Sequence, residues 1–417
     1  MARTKKSSNR VKNTAILCCL FGVMLIVGTY AWFIGMQSVV VSQFDVKIAA
    51  AEGLELSMDG KVWYTDELNA KETAAYTGNT NTWAEKGLIP MSSVGDTNED
   101  ASEMILFEKG SLTATKGGYR LLASTVTYTG TSADELKDGK GYVAFDLFIK
   151  NISGEEYYAD NDVLNEEAIY LTDNSKVTVA SNGAQATSAS DDGVPGTGIE
   201  NSVRVGFVQI GRVEQDGATQ EQIIGIKCKD NVSAHNVTGI CRTATIWEPN
   251  DKNHVQNAIN WYNEACQKRT GVTVSDDASY STDSCKTIAD GQAYKTYAVA
   301  NDLIVGSNVD VYDGSDYNYY TNTFTKAENY YSANAETKAK AKLVEMDYFT
   351  DTEKVLNGVE RPTFMTLAPN SVTKVRVYVW IEGQDIDNYD FSSLGKKISV
   401  NFGFTKERFE KSEILTN

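Results

Sequence analysis

Histidine is scarce in this chain, which has two among 417 residues, and the usual signatures of catalysis are missing. The sequence has no His-Glu-x-x-His zinc motif, no Gly-x-Ser-x-Gly nucleophile elbow and no glycine-rich phosphate loop. His235 and His254 therefore fit surface residues better than catalytic ones. The acidic pairs Glu155–Glu156 and Glu166–Glu167 are interpreted as solvated faces rather than as a glycosidase pair. We expect a non-catalytic protein without a cofactor.

Positive charge is also in deficit, with 39 lysines and arginines against 56 acidic residues. Five of the basic residues lie in the first twelve positions, so removal of residues 1–31 would take the net charge from −17 to −22. Such an acidic chain repels phosphate backbones and anionic lipids. Nucleic acid is therefore not expected as a partner, and contact with a membrane is expected only through residues 13–36 before processing.

The N-terminus has the organisation of a bacterial secretory signal. The basic residues are followed by residues 13–44, which contain no charged side chain. Small residues end the apolar stretch, and cleavage by a signal peptidase after Ala31 would make Trp32 the first mature residue. The positive flank stays inside the cell, so the rest of the chain is expected outside it.

An uncleaved segment is the alternative. Ala15 to Met36 comprises 22 residues, and about 20 predominantly apolar residues suffice to cross a bilayer. Without cleavage, the chain would be a membrane-anchored protein at the cell surface. We favour cleavage.

Two of the six cysteines lie in the export segment, which leaves four for the exported part. Four cysteines can pair in three ways. We favour the sequence-local disulfides Cys228–Cys241 and Cys266–Cys285, because short loops close at a low entropic cost. A zinc site built from the four thiolates is the alternative, but no Cys-x2-Cys spacing supports it.

Alternation of apolar and polar residues with a period of two dominates the chain and predicts strands. It is clearest in 141–150, 203–210, 374–381 and 398–404. Strands of this kind, half buried and separated by Gly, Asn and Asp clusters, indicate an antiparallel sandwich or barrel. Asp59-Gly60 between two apolar runs predicts a hairpin near the front of the domain.

Helical patterns are confined to two places. Residues 253–269 place apolar side chains at helical spacing, and 335–346 consist of strong helix formers. Both lie in 228–360, together with the four cysteines. We interpret 228–360 as an α/β subdomain inserted into the β framework.

The inserted region also contains two candidate binding elements. One is a loose calcium loop, although its spacing does not match an EF-hand and an ordinary acidic turn is the simpler interpretation. The other is a tyrosine-rich stretch that resembles the aromatic surfaces of binding loops, or else packs on its own domain. The residues are Asp310, Asp313 and Asp316 for calcium, and Tyr317, Tyr319 and Tyr320 for a glycan or protein ligand.

Residues 28–57 resemble the start of TasA/camelysin-type exported proteins of Gram-positive bacteria. The resemblance lies in Gly28-Thr29-Tyr30-Ala31-Trp32-Phe33, in Val39-Val40-Val41 and in the strand Phe44 to Ser57. Tyr142 to Asn151 and Tyr378 to Asp385 look like strands of the same type. The resemblance implies cleavage between Ala31 and Trp32 by a SipW-type signal peptidase, a jelly-roll β-sandwich, and a role in extracellular fibres or biofilm matrix. The missing zinc motif and the additional 228–360 region depart from that family.

The expected fold is thus mainly β: a jelly-roll-like antiparallel β-sandwich with an inserted α/β subdomain and an N-terminal apolar export helix. The expected divisions are a signal peptide or membrane helix at 1–31, a linking strand at 32–48, the first part of the sandwich at 49–227, the cysteine-containing insertion at 228–360 and the C-terminal strands at 361–417.

After cleavage, the mature chain would begin with an uncharged, β-prone segment, 32–41. A free apolar strand can complete the open sheet edge of another subunit, and head-to-tail repetition of that contact gives a filament. We therefore expect a secreted structural protein of the cell surface or biofilm matrix, with self-association as its main interaction. The alternative is a membrane-tethered adhesin that recognises a glycan or protein. The assembly strand is carried by Trp32, Phe33, Ile34, Val39, Val40 and Val41.

Cleavage predicts the N-terminus of the protein recovered from outside the cell. Mass spectrometry is expected to find a mature chain that begins at Trp32 or within a residue or two of it. A chain that retains Met1 or Ala2 in the membrane fraction would contradict cleavage and favour the tethered adhesin.

Overall fold

The structure is a computed structural model of the chain, and it is mainly β. It describes residues 43–50, 53–70, 78–83, 88, 90–93, 95, 97, 104, 106–109, 121–125, 141–153, 155–160, 162–172, 174–179, 196–228, 238–242, 244–250, 252–260, 297–300, 342–345, 349–350, 365–383, 385–388 and 397–407.

The described strands are short at the margins and long in the centre. In chain order they are β1 (Gln43–Ala49), β2 (Leu54–Ser57), β3 (Glu67–Asn69), β4 (Asn81–Thr82), β5 (Pro90–Ser92), β6 (Phe107–Lys109), β7 (Leu121–Thr125), β8 (Val143–Asn151), β9 (Glu167–Leu171), β10 (Lys176–Val179), β11 (Val203–Glu214), β12 (Thr238–Gly239), β13 (Thr245–Glu248), β14 (Tyr297–Ala300), β15 (Lys342–Glu345), β16 (Phe349–Thr350), β17 (Met365–Leu367), β18 (Ser371–Glu382) and β19 (Lys397–Glu407). Helix α1 (Gln220–Ile224) begins at a capping box formed by Thr219 and Gln222, residues 256–260 are helical, and single 3-10 turns occur at Val163–Asn165 and Ile199–Ser202.

The smaller sheet has the order β17-β9-β19-β1-β3, and β10 also pairs with β19. β1 runs parallel to β19 from the pair Gln43–Lys397 to the pair Ala49–Gly403, and the other pairings are antiparallel. β9 and β10 act as one interrupted partner of β19, because Leu171 pairs with Phe404 and Lys176 with Asn401. β1 therefore lies in the interior of the sheet.

The larger sheet is built around β11, β18 and β8, which are antiparallel neighbours. Short strands flank them: β12 and β13 pair with β11, β2 and β4 pair with β8, and β5 pairs with the end of β18. β14 and β15 form a separate antiparallel pair.

The inner faces of the two sheets form one apolar core, so the two sheets make a sandwich. Phe207 of β11 packs edge-on against Phe402 of β19, with ring centroids 5.2 Å apart. Trp247 of β13 contributes to the same core. The inward residues of the central strands are Val143, Phe145, Leu147, Ile149, Val203, Val205, Phe207, Val375, Val377, Val379 and Ile381.

The outer face of the larger sheet is also covered, which the alternating pattern did not predict. One apolar cluster includes Trp380 and Tyr378 under Met91 and Met104, and another includes Phe148 under Ile223 of α1. The central strands are consequently buried on both faces over most of their length. The segments that cover this face come from distant parts of the chain. The alternation of apolar and polar residues within each strand therefore does not predict that the outer face is buried.

The predicted strands at 203–210, 374–381 and 398–404 are confirmed as parts of β11, β18 and β19, and the strand predicted over 141–150 is confirmed as β8 from Val143 onward. The predicted hairpin is confirmed by the mutual backbone hydrogen bonds of Leu56 and Tyr64, 2.9 and 2.8 Å. Gly60 adopts a φ of +66° there, which favours glycine. The Asp59 carboxylate accepts from the backbone N–H groups of Lys61 and Val62 and closes the turn.

Two predictions within 228–360 require correction. The helix predicted over 335–346 is wrong at Lys342–Glu345, which form strand β15, because pairing with β14 outweighs the weak intrinsic preference for helix. Residues 238–248 contain β12 and β13 of the larger sheet, so the sandwich continues past residue 228. The helical residues 256–260 lie inside the helix predicted over 253–269. The inserted subdomain, the jelly-roll topology and the remaining domain boundaries stay predictions.

The predicted export helix lies outside the described residues. Among the residues that the structure does describe, no helix is long and apolar enough to cross a membrane.

A matched pair of valine truncations tests the sandwich core. Val377 has 0% exposure and Val62 has 48%. We expect Val377→Ala to lower the free energy of unfolding by about 2 kcal/mol, because it removes buried methyl groups and leaves a cavity. Val62→Ala should change it by less than about 0.5 kcal/mol. Urea unfolding of both variants measures the difference, and equal losses would contradict the assignment of Val377 to the core.

Candidate functional site

The segment predicted to mediate assembly joins the sandwich at one defined end. Residues 32–41 lie outside the described residues, but β1 starts at Gln43 beside Lys397, and the next residue of β19, Ile398, pairs with Val179 at the end of β10. The Asn250 side chain donates to the backbone carbonyls of Val177 and Glu200 and so joins β10 to the 199–202 turn. We call this the proximal end of the sandwich. At this end β1 and β19 begin, β10 ends and the 199–202 turn leads into β11.

A buried charged network occupies the proximal end, with Arg204 of β11 at its centre. Its guanidinium forms ion pairs with Glu248 and, at 2.7 Å, with Asp385. It also donates to the backbone carbonyls of Asn201 and Val203. Burial alone would lower the pKa of Arg204, but the charges of Glu248, Asp385 and Glu382 outweigh burial and raise it. The guanidinium is therefore held in its charged form by three surrounding carboxylates.

His254 and Asp387 form the second part of this network. His254 Nδ1 lies 2.7 Å from Asp387 Oδ2, and the two side chains are 1% and 0% exposed. The other carboxylate oxygen of Asp387 accepts from the backbone N–H of Val255 at 2.9 Å. The pKa of Asp387 is raised to about 6, chiefly because the carboxyl group is buried. The hydrogen bond with His254 lowers this pKa, and the negative charge of the neighbouring Asp385 raises it.

A glycine allows the chain to approach this pair closely. Gly198 has a φ of +87°, and a Cβ placed there would lie 2.7 Å from Asp387 Oδ1 and 3.0 Å from Val255 Cγ2. Any side chain at this position would therefore displace Asp387. The 196–202 segment, the 252–260 segment and the turn after β18 consequently meet at one point.

The chemistry that this network can perform is limited by its burial. His254 and Asp387 resemble two members of a Ser–His–Asp triad, but a general base must come within hydrogen-bond reach of the proton it removes. A ring that is 1% exposed does not reach a substrate in solution without rearrangement. The arrangement suits the fastening of distant segments, or the holding of a small ion, better than it suits catalysis.

A second buried network surrounds Glu166, which the sequence pattern placed on a solvated face. That expectation is wrong, because the Glu166 side chain is fully buried and pairs with both Arg212 and Arg242, the latter at 2.7 Å. Arg242 also donates to the side chains of Gln209 and Thr366. Glu155 and Glu156 are exposed, as predicted.

A third network joins Asp146 of β8 to Arg376 and Lys374 of β18. Arg376 Nε donates to Asp146 Oδ1 at 2.7 Å, and Lys374 Nζ lies 3.4 Å from Asp146 Oδ2. The backbone N–H of Thr80 donates to the same carboxylate at 2.8 Å. Burial would raise the pKa of Asp146, but the charges of Arg376 and Lys374 outweigh burial and lower it.

Sequence reasoning missed the proximal network. The expectation of a surface residue is wrong for His254, while His235 lies outside the described residues. The ring of His254 and the carboxylate of Asp387 are 133 positions apart in the chain. The only local signal is the pair Asp385-x-Asp387 next to an apolar strand, and such pairs also occur in ordinary turns.

Of the predicted cysteine pairs, Cys228–Cys241 is confirmed, with Cα atoms 4.9 Å apart. The bond ties the segment after α1 to the residues that follow β12. Cys266 and Cys285 lie outside the described residues and their pairing stays a prediction. The other predicted site residues that lie outside the described part of the chain are Ala31, Trp32, Phe33, Ile34, Val39, Val40, Val41, Asp310, Asp313, Asp316, Tyr317, Tyr319 and Tyr320.

Comparison with known proteins adds no relative to these observations. No protein-family model, curated protein or solved structure matches this chain.

The Asp146 network predicts how stability depends on pH. Because the pKa of Asp146 is lower in the folded state, its stabilising contribution is complete at neutral pH and is lost as the pH falls through the folded pKa. We expect Asp146→Asn to lower the free energy of unfolding by about 2–4 kcal/mol at pH 7, since two buried cations lose their counter-charge. The difference from wild type should shrink as the pH falls below about 4.

Unfolding curves between pH 7 and pH 3 measure this difference. The exposed Glu156→Gln variant is the control and should follow the wild type throughout. A difference between Asp146→Asn and wild type that stays constant down to pH 3 would contradict the role assigned to the carboxylate.

Proposed function

We propose that this protein is a secreted, non-catalytic structural protein of the cell surface or biofilm matrix, and that its subunits assemble by donation of residues 32–41. The observation that carries the proposal is the position of β1. This strand lies in the interior of the smaller sheet, and the uncharged assembly segment comes directly before it.

β1 is suited to transmit force from a donated strand to the sandwich. It pairs with β19 over seven residues and with β3 over three, and its side chains Val46 and Ile48 lie in the core. A pull on the N-terminal segment would therefore load a paired, buried strand rather than a loop. A fibre subunit needs this property at its connecting segment.

The length of the segment also fits strand donation. Ten residues in extended conformation span about 33 Å. The longest described strands of the sandwich, β11 and β18, each contain twelve residues, so the segment is about as long as a full strand of this fold. A donated segment of this length could pair along an open sheet edge of another subunit, satisfy its backbone groups there and bury Trp32, Ile34 and Val40, which share one face of an extended strand.

The burial of His254 and the acidic composition are consistent with a structural role. The ring of one of only two histidines is enclosed in the proximal network. The excess of acidic side chains favours solubility before assembly. The secretory-signal pattern of the N-terminal sequence and the resemblance to TasA/camelysin-type proteins support an extracellular location.

Deletion of residues 32–41 from the mature protein tests the proposal by electron microscopy. We expect filaments from the chain that begins at Trp32 and none from the deleted chain, because the donated strand is missing. The melting temperature of the deleted subunit should be unchanged within about 2 °C, since β1 and its partners are retained. Filaments of normal length from the deleted chain would overturn the proposal.

A peptide and a charged variant sharpen this test. A synthetic peptide of residues 32–41 added in excess should compete for the acceptor edge and shorten the filaments. Val40→Asp places a charge on the donated strand and should weaken assembly, whereas Ser38→Thr preserves a β-prone, uncharged segment and should not. A chain that remains monomeric and membrane-bound, and that binds to a glycan array, would favour the tethered adhesin instead.

A further inference from the structure

We propose that His254, Asp385 and Asp387 at the proximal end bind one divalent transition-metal ion, such as Zn²⁺ or Mn²⁺. The three side chains are buried, and one ligand atom of each lies within 4.8 Å of the others. The inference is independent of strand donation, because the site lies within the described sandwich. The sequence predicted no metal at these residues.

The spacing of the ligand atoms is close to the spacing around one ion. Zinc–nitrogen and zinc–oxygen bonds are about 2.0–2.2 Å, so two ligands of one ion are about 3.0–3.4 Å apart when they are neighbours and about 4 Å apart when they are opposite. His254 Nδ1 and Asp387 Oδ2 are 2.7 Å apart, and the three ligand atoms lie within 4.8 Å of one another. Shifts of roughly half an ångström would therefore let an ion replace the proton between His254 and Asp387.

Hydrogen bonds hold the carboxylates of Asp385 and Asp387 in fixed orientations, as the neighbours of metal ligands usually do. Asp385 Oδ1 accepts from the backbone N–H of Asp387 at 2.8 Å, and Asp385 Oδ2 accepts from Arg204 at 2.7 Å. Asp387 Oδ1 accepts from the backbone N–H of Val255. A carboxylate oxygen has two lone pairs, so each of these atoms can hold its donor and still bind an ion. Partners of this kind fix the direction of metal ligands and increase metal affinity.

The concentration of carboxylates at the proximal end also favours a cation. Within the described residues, four buried carboxylates meet around Arg204 and His254: Glu248, Glu382, Asp385 and Asp387. A divalent ion bound to Asp385 and Asp387 would add positive charge among them and lower the cost of keeping these carboxylates buried.

The mixture of ligands selects the class of ion. Imidazole nitrogen with carboxylate oxygen suits Zn²⁺, Mn²⁺, Co²⁺ or Ni²⁺, whereas Ca²⁺ and Mg²⁺ prefer oxygen ligands alone. The ion would join the 252–260 segment to the turn after β18. It would therefore stabilise the end of the sandwich from which the N-terminal segment emerges.

Cobalt is the probe for the first test, because Co²⁺ substitutes for Zn²⁺ and absorbs visible light. Untagged, chelator-treated protein is titrated with CoCl₂, and we expect visible absorption that saturates at one Co²⁺ per chain and disappears when Zn²⁺ displaces it. Saturating Zn²⁺ should raise the melting temperature by about 5 °C or more.

The two histidines provide matched variants. His254→Gln should weaken Co²⁺ binding by about 100-fold or more, since one of three ligands is lost. His235→Gln removes the other histidine and should bind Co²⁺ as the wild type does. Circular dichroism checks that both variants are folded.

A measurement on the wild type keeps the proposal testable if His254→Gln does not fold. The chain has only two histidines, so the imidazole ¹⁵N signals in NMR spectra can be assigned to His235 and His254 by use of His235→Gln. Zn²⁺ should shift the Nδ1 signal of His254. No Co²⁺ binding up to 1 mM, equal binding by His254→Gln, or an unchanged His254 signal would overturn the proposal and leave a closed hydrogen-bonded network.

Discussion

The burial of the central strands on both faces is the constraint on which the rest of this structure depends. β18 is paired along almost its whole length, with β11 on one side and with β8 on the other. Its inward side chains lie in the sandwich core, and its outward side chains lie under segments that come from distant parts of the chain. Every polar side chain on the outward face must therefore find a partner within the protein.

This constraint explains where the charged networks lie. Asp146 and Arg376 are directly opposite each other in the register of β8 and β18, so their ion pair follows from the pairing of the two strands. Arg204 and Arg212, at the two ends of β11, lie under covering segments and reach carboxylates that those segments or the neighbouring turns provide. Removal of one partner from such a pair leaves a buried charge, which makes these positions sensitive although they form no part of the apolar core.

The proximal network differs from the other two in the side chains that compose it. Glu166 pairs with two arginines, and Asp146 pairs with an arginine and a lysine. At the proximal end Arg204 pairs with Glu248 and Asp385, and His254 approaches Asp387. An imidazole beside two carboxylates is a set of ligands that suits a transition-metal ion, which is why the proposed metal site lies here.

The sequence alone determined the β class, the places of the central strands and the Asp59-Gly60 turn, because these features follow from local periodicity and from the preferences of single residues. It also favoured the Cys228–Cys241 pair over the other pairings, since a short loop brings these two thiols together, and the structure confirms that pair. Only the tertiary structure decided that Glu166 and His254 are buried, that β15 is a strand, and that His254 meets Asp387. The physical reason is the same in each case. Contacts between residues far apart in the chain cover the outer face, pair the distant strands and bring the two loops together. Local sequence patterns do not record such contacts.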